Sequence, residues 1–196
     1  MSSAISKEYY SGGGRAATMT GNHELTIVSG SPRIPSRTRA LADRARHFCE
    51  SQDMSVTLLD LGERRLELFD GRDFEDYNRI TRETVTDFIE GRCILIASPV
   101  YFAGISGSLK NLFDLIPYDR FQGPHRAAGM LMTGRDRRHQ LVLDTHLRPT
   151  LVYLGFAVAS TSVFAVEDDF RDFGLTANHL DEWIETTIAE TVALSA

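Results

Sequence analysis

Two cysteines and a single tryptophan are all that the 196 residues contain of either type. Cys49 and Cys93 fall in different expected elements and fit neither a metal-ligand spacing nor a redox pair. Two separated thiols cannot furnish the four ligands of an Fe–S cluster. With so little cysteine, a reducing cytoplasm is the expected compartment. The chain also lacks any run of about 18 apolar residues, so no membrane-spanning helix is expected. Residues 1–22 have no apolar centre of the kind a signal peptide needs. Basic excess is missing as well: 21 Lys and Arg stand against 27 Asp and Glu, a formal net charge of −6. Nucleic acid therefore has no electrostatic claim on this chain. His139 and His146 have no carboxylate that completes a metal set, and no bound metal is expected. Internal repeats are absent. The one biased stretch, Ser11-Gly12-Gly13-Gly14, lies in residues 1–22, which read as a flexible Gly/Ser-rich tail. Residues 23–196 suffice for one domain.

What is present is an alternation of strand-like and helix-like segments, which predicts parallel strands joined by crossover helices. Strands are expected near 24–29, 56–61, 93–97, 127–132 and 156–164. Helices are expected from Ser36, whose hydroxyl suits an N-cap, and over about 74–90, from Ser106 to Pro117, 138–153 and 176–194. The helix over 74–90 should bury Ile80, Val85, Phe88 and Ile89, at least in part. The last helix should place Leu180, Trp183, Ile184, Thr187 and Ile188 on one side. Pro149 predicts a kink or break inside the fourth helix. The expected fold is α/β: a doubly wound, five-stranded parallel sheet in a three-layer α/β/α sandwich. In such sheets ligands sit beyond the carboxyl ends of the strands, where strand order reverses. The loops after the first and third strands should therefore lie together.

Those two loops are the most distinctive segments. The first runs Gly30-Ser31-Pro32-Arg33-Ile34-Pro35-Ser36-Arg37-Thr38 and opens a helix. A helix start carries unpartnered N–H groups and partial positive charge, a ready site for an anion. Arg33, Arg37 and Arg39 crowd this turn although the chain as a whole is acidic. Guanidinium forks and small hydroxyls match a phosphate group. Arg33 is the strongest phosphate candidate. Arg37 divides evenly between phosphate contact and an exposed salt bridge, and Arg39 reads as a solvated helix residue. The second loop is Ser98-Pro99-Val100-Tyr101-Phe102-Ala103-Gly104, after a strand apolar enough to be buried on both faces.

These residues resemble the NADPH-dependent FMN reductase family, which implies a flavodoxin-like fold. Gly30-Ser31-Pro32-Arg33 with Ser36-Arg37-Thr38 is similar to the family's phosphate loop. Ser98-Pro99-Val100-Tyr101, continuing through Gly104 to Asp114, is similar to its flavin-contacting loop and following helix. Within the family, the alkanesulfonate-type reductases of two-component monooxygenase systems look closest. The resemblance implies a cytoplasmic homodimer or homotetramer in which NADPH or NADH reduces FMN, with reduced flavin passing to a partner monooxygenase. It assigns Ser31, Arg33, Ser36, Arg37 and Thr38 to the FMN phosphate. Pro99, Val100, Tyr101, Phe102 and Gly104 fall beside the flavin ring, and Thr133 and Gly134 form a third loop around it.

Two departures stand out. Arg135 occupies a position where the family commonly has a second glycine; it either narrows the nicotinamide site or grips a phosphate of the cofactor. Thr145, next to His146, aligns with an inserted aromatic that relatives carry at a π-bulge. Free N–H groups of the second loop are expected to face the polar edge of the flavin, and no side chain is assigned as catalytic, because hydride transfer needs ring contact more than proton transfer. Lys110 and Asp114 read as an exposed pair or, slightly favoured, as a subunit contact, and His146 as an interface or structural histidine rather than a catalyst. Two other readings share the fold: an enzyme that keeps its FMN and reduces quinones, azo dyes or metal ions, and a flavodoxin-type electron carrier. Arg33 argues against the carrier, which cradles phosphate with hydroxyls and amides.

Overall fold

In the computed structural model, residues 24–120 and 126–196 are described, and the expected tail over 1–22 lies outside them. Five strands form one parallel sheet: β1 (Glu24–Ser29), β2 (Ser55–Asp60), β3 (Cys93–Pro99), β4 (Ala127–Thr133) and β5 (Ala157–Ala165). Their order is β2-β1-β3-β4-β5, the flavodoxin-like order of a doubly wound sheet. β1 and β3 are neighbours, so the two distinctive loops do leave the sheet side by side.

Helices cover both faces. α1 (Arg37–Ser51) and α5 (Asp181–Leu194) pack Leu41, Ala45, Ile184 and Ile188 against one. α2 (Arg79–Glu90), α3 (Gly107–Asp114) and α4 (Arg148–Tyr153) pack Val85, Phe88, Leu109, Leu112 and Leu151 against the other. Double coverage is why β3 and β4 are buried along their whole length. Phe88 sits at the centre of the second core, its ring 5.8 Å from that of Phe113 and 6.2 Å from that of Phe156. Burying such a side chain contributes about 1.5–3 kcal/mol. The buried Arg126 guanidinium donates to the carbonyls of Phe88 (3.0 Å) and Gly91 (2.9 Å), which closes the C-terminus of α2.

Several expectations need correction. The helix expected over 74–90 is split: a 3-10 turn at Phe74–Asp76 precedes α2, because Asn78 caps a fresh helix by accepting from Thr81 N–H. Ile80 is exposed on its first turn. The helix expected over 138–153 is three pieces: a 3-10 turn (Arg137–His139), a π-helical turn (Leu143–Leu147) and α4. Pro149 has no N–H, so the irregularity settles just before it, where Arg148 N–H reaches back to the carbonyl of Leu143. Trp183 is half exposed beside the buried face of α5. Of the two readings of Lys110 and Asp114, the exposed pair is present along α3. A two-stranded hairpin, β6 (Phe170–Arg171) and β7 (Gly174–Leu175), was not anticipated.

Candidate functional site

Gly30 ends β1 where a side chain has no room: a Cβ there would stand 2.9 Å from the carbonyl oxygen of Ala97 and 3.1 Å from Leu109 Cβ. Its carbonyl accepts from both Ser106 Oγ and Ser108 Oγ at the start of α3. Ser106 is also the N-cap of α3, accepting from Leu109 N–H at 3.2 Å. The turn after β1 is thereby stitched to the helix that follows the β3 loop. Ser31 is buried and accepts from Arg33 N–H at 3.2 Å, which folds the turn on itself. Ser36 caps α1 as its residue type predicts, accepting from Arg39 N–H at 3.0 Å.

These elements enclose a cavity of about 540 Å³ at the carboxyl ends of β1, β3 and β4. Ser31, Arg33, Ser36, Arg37 and Thr38 form one wall; Pro99, Val100 and Tyr101 form another; Thr133 and Gly134 close the third side. Ten of the twelve residues singled out from sequence are thus brought together. Phe102 and Gly104 are not in the lining. Tyr101 and Gly104 pair as a minimal antiparallel bridge with reciprocal hydrogen bonds of 3.0 Å, and Phe102 and Ala103 form its tip with positive φ of 46° and 58°. Phe102 points fully into solvent. Gly104 lies against the imidazole of His146; a Cβ would stand 3.2 Å from that ring. His146 Nδ1 accepts from Ile105 N–H at 3.4 Å, so this histidine props the base of the loop from the π-helical turn.

The expectation of free loop amides at the cavity is overturned for most of the loop. Val100 N–H donates to Thr133 O at 2.8 Å and Tyr101 N–H to Gly104 O at 3.0 Å; Gly134 N–H, in the third loop, donates to Ala165 O at 3.0 Å. Side chains and the N-terminus of α1, rather than the amides of the β3 loop, therefore carry the polarity of the cavity. Thr38 and Thr133 share a hydroxyl hydrogen bond of 2.7 Å, joining the first turn of α1 to the end of β4. Arg37 pairs with Glu167 at 2.6 Å, in the connection after β5. Arg39 is not a solvated residue but is tied to Asp43, Asp60 and Glu63, away from the cavity. Arg33 is exposed and has no ion-pair partner among the described residues. Arg135 also lines the cavity and is likewise unpaired among them: adjacent Asp136 is engaged by Arg138 at 2.7 Å, and Glu167 by Arg37. The balance at the cavity is positive in a protein of net charge −6. No cluster of metal-ligating side chains occurs among the described residues.

Sequence reasoning missed Glu167 and Phe173, both in the lining. Glu167 sits in the acidic run Glu167-Asp168-Asp169, which reads as a solvated connection. Phe173 sits in Arg171-Asp172-Phe173-Gly174, which lacks the Asn-Gly or Asp-Gly signal of a two-residue hairpin turn.

Comparison with known proteins agrees with this geometry. The family model described as NADPH-dependent FMN reductase matches residues 24–171. An NAD(P)H-dependent FAD/FMN reductase of Geobacillus thermodenitrificans is 32% identical over 149 residues, 76% of this chain and 75% of that one. An FMN reductase (NADPH) of Escherichia coli is 31% identical over 152 residues, 76% of each. The crystal structure of an apo NADH:FMN oxidoreductase superimposes with a TM-score of 0.69 at 27% identity, covering 89% of this chain and 91% of that one. With a matching loop pair, a matching sheet order and a family match over most of its length, the chain belongs to the NADPH-dependent FMN reductase family.

Proposed function

We propose that this protein is a flavin reductase that binds FMN in the cavity at the carboxyl edge of the sheet and reduces it with NADPH or NADH. The observation that carries this reading is the phosphate-type cradle: the N-terminus of α1, the Ser31 and Ser36 hydroxyls and the unpaired Arg33 converge on one wall. The residues present fit the molecule. A phosphate monoester matches that wall, and a planar ring matches the Pro99, Val100 and Tyr101 wall opposite. When bound, FMN supplies the ring that accepts hydride. The protein's part is to fix the phosphate, hold the ring against Pro99–Tyr101, and leave room for a nicotinamide over it.

We further propose that the enzyme works in the cytoplasm as a homodimer or homotetramer and passes reduced flavin to a partner monooxygenase. No helix among the described residues is long and apolar enough to cross a membrane, which supports a non-spanning protein. Purified protein given NADPH or NADH, with and without added FMN, tests the central reading. Pyridine-nucleotide oxidation that depends on added FMN is the expected result. Turnover of a quinone without flavin release would favour an FMN-retaining reductase, and tight FMN binding without any oxidation would leave an electron carrier.

A further inference from the structure

The β6–β7 hairpin begins inside the family match, which ends at Arg171, and brings Phe173, two residues further on, to the cavity. Asp172 and Phe173 are its two tip residues, and both have positive φ, 46° and 67°. A two-residue turn with both residues in the left-handed region favours Asn-Gly or Asp-Gly, because bulky side chains crowd the backbone there. Phenylalanine is thus the wrong residue for the turn, and it is also left 40% exposed. Strained residues of this kind persist where the surroundings hold them, and they gather at ligand sites.

The surroundings do hold this one. Phe170 and Leu175 pack onto the core at the hairpin's base. The buried Asp169 accepts Val166 N–H at 2.7 Å through its carboxylate, and its carbonyl accepts Thr176 N–H at 2.9 Å. Arg44 on α1 donates to Leu175 O at 3.3 Å. The base is fixed while the tip carries the strain. The tip of the β3 loop is strained in the same way, but Phe102 points away from the cavity; Phe173 lines it.

We infer that Phe173 is a ring-stacking wall of the binding cavity, fixed by the β6–β7 hairpin against a planar aromatic ring held there. This rests on the proposed binding of FMN and NAD(P)H. The ring is that of the flavin or that of the nicotinamide, and the test separates the two.

The decisive variant is the double substitution Asp172→Asn with Phe173→Gly, which installs the sequence the turn prefers. Thermal unfolding should occur at or above the wild-type temperature, since strain is relieved. Flavin-fluorescence titrations of FMN and riboflavin should both weaken about tenfold, the scale of one lost aromatic stack. If flavin affinity holds while KM for NADPH and NADH rises together, Phe173 serves the nicotinamide ring. Unchanged flavin affinity together with unchanged KM overturns the inference. Phe173→Gly alone repeats the test without altering Asp172, and Phe173→Tyr should restore binding. A wild-type protein that neither binds FMN nor oxidises NADPH would instead sink the proposed function, a distinct outcome.

Discussion

Replacing Arg33 by alanine is the sharpest test of the phosphate wall. Arg33 is exposed and makes no ion pair among the described residues, so its removal leaves no buried partner stranded. The fold should be indifferent: unfolding temperature should stay near that of the wild type. Binding should not be indifferent. A hydrogen bond involving a charged group contributes roughly 1.5–3 kcal/mol. That is about a 10- to 150-fold loss of FMN affinity. Arg37 provides the contrast, because its guanidinium is already engaged by Glu167 at 2.6 Å. Both partners of that pair are more than one-third exposed, so it contributes only about 0–1 kcal/mol. Arg37→Ala should weaken FMN less than Arg33→Ala does, because Glu167 already offsets the charge of Arg37 at the cavity. Glu167→Gln, which frees Arg37, should leave FMN affinity equal or tighter. Fluorescence titration of FMN and riboflavin at low and high salt reads all three variants. Riboflavin lacks the phosphate and should bind wild type and Arg33→Ala alike. The FMN difference should shrink as salt screens the exposed contact. Equal losses for both flavins would refute the phosphate assignment.

Arg135→Gly should raise KM for NADPH about tenfold, the scale of one charge-assisted contact, with FMN affinity unchanged; a fall in KM would show that Arg135 narrows the nicotinamide site instead. Gly129→Ala forces a Cβ to within 2.5 Å of Leu95 Cδ2 and Thr191 Oγ1. Such overpacking costs about 1–3 kcal/mol and should lower Tm by about 2–4 °C for each of them; an unchanged Tm would refute the packing of α5 on β4. Burial pushes the thiol of Cys49 up to about 12 and that of Cys93 to about 11. Both should resist a thiol-disulfide reagent at pH 8 until the protein unfolds. The same shifts give stability a sign: the unfolded thiols ionise from about pH 9, the folded ones only higher. Stability present below pH 9 should thus fall as pH rises from there toward 12, by chemical denaturation at stepped pH.

Much of this architecture was legible because strong local signals agreed with one another. The strand over 24–29, the caps Ser36 and Ser106, and the fully apolar run from Cys93 each fell where the residue types demanded. Strand order followed from topology, and with it the meeting of the loops after β1 and β3. What failed was set by partners, some remote and some only a few residues away, that residue type alone does not announce. Arg39 reads as a surface residue until β2 brings Asp60 beside it. The amides of Val100 and Tyr101 look free until Thr133 O and Gly104 O accept them. Phe173 enters the cavity only because Asp169, Thr176 and Arg44 fix a hairpin whose own turn residues oppose it. Pro149 announced an irregularity but not its kind, because a missing donor can be absorbed by a kink, a break or a wider turn.

The twofold clasp on the Gly30 carbonyl has a bearing on engineering. Ser106 and Ser108 span one oxygen and so make two distant stretches of chain behave as a single cassette. Transplanting residues 30–38 alone into a scaffold without those serines would bring an acceptor without its hydroxyls. Chimaeras that exchange residues 30–38 and 98–109 as a unit should preserve the alignment of the two walls; exchange of 30–38 alone should loosen it.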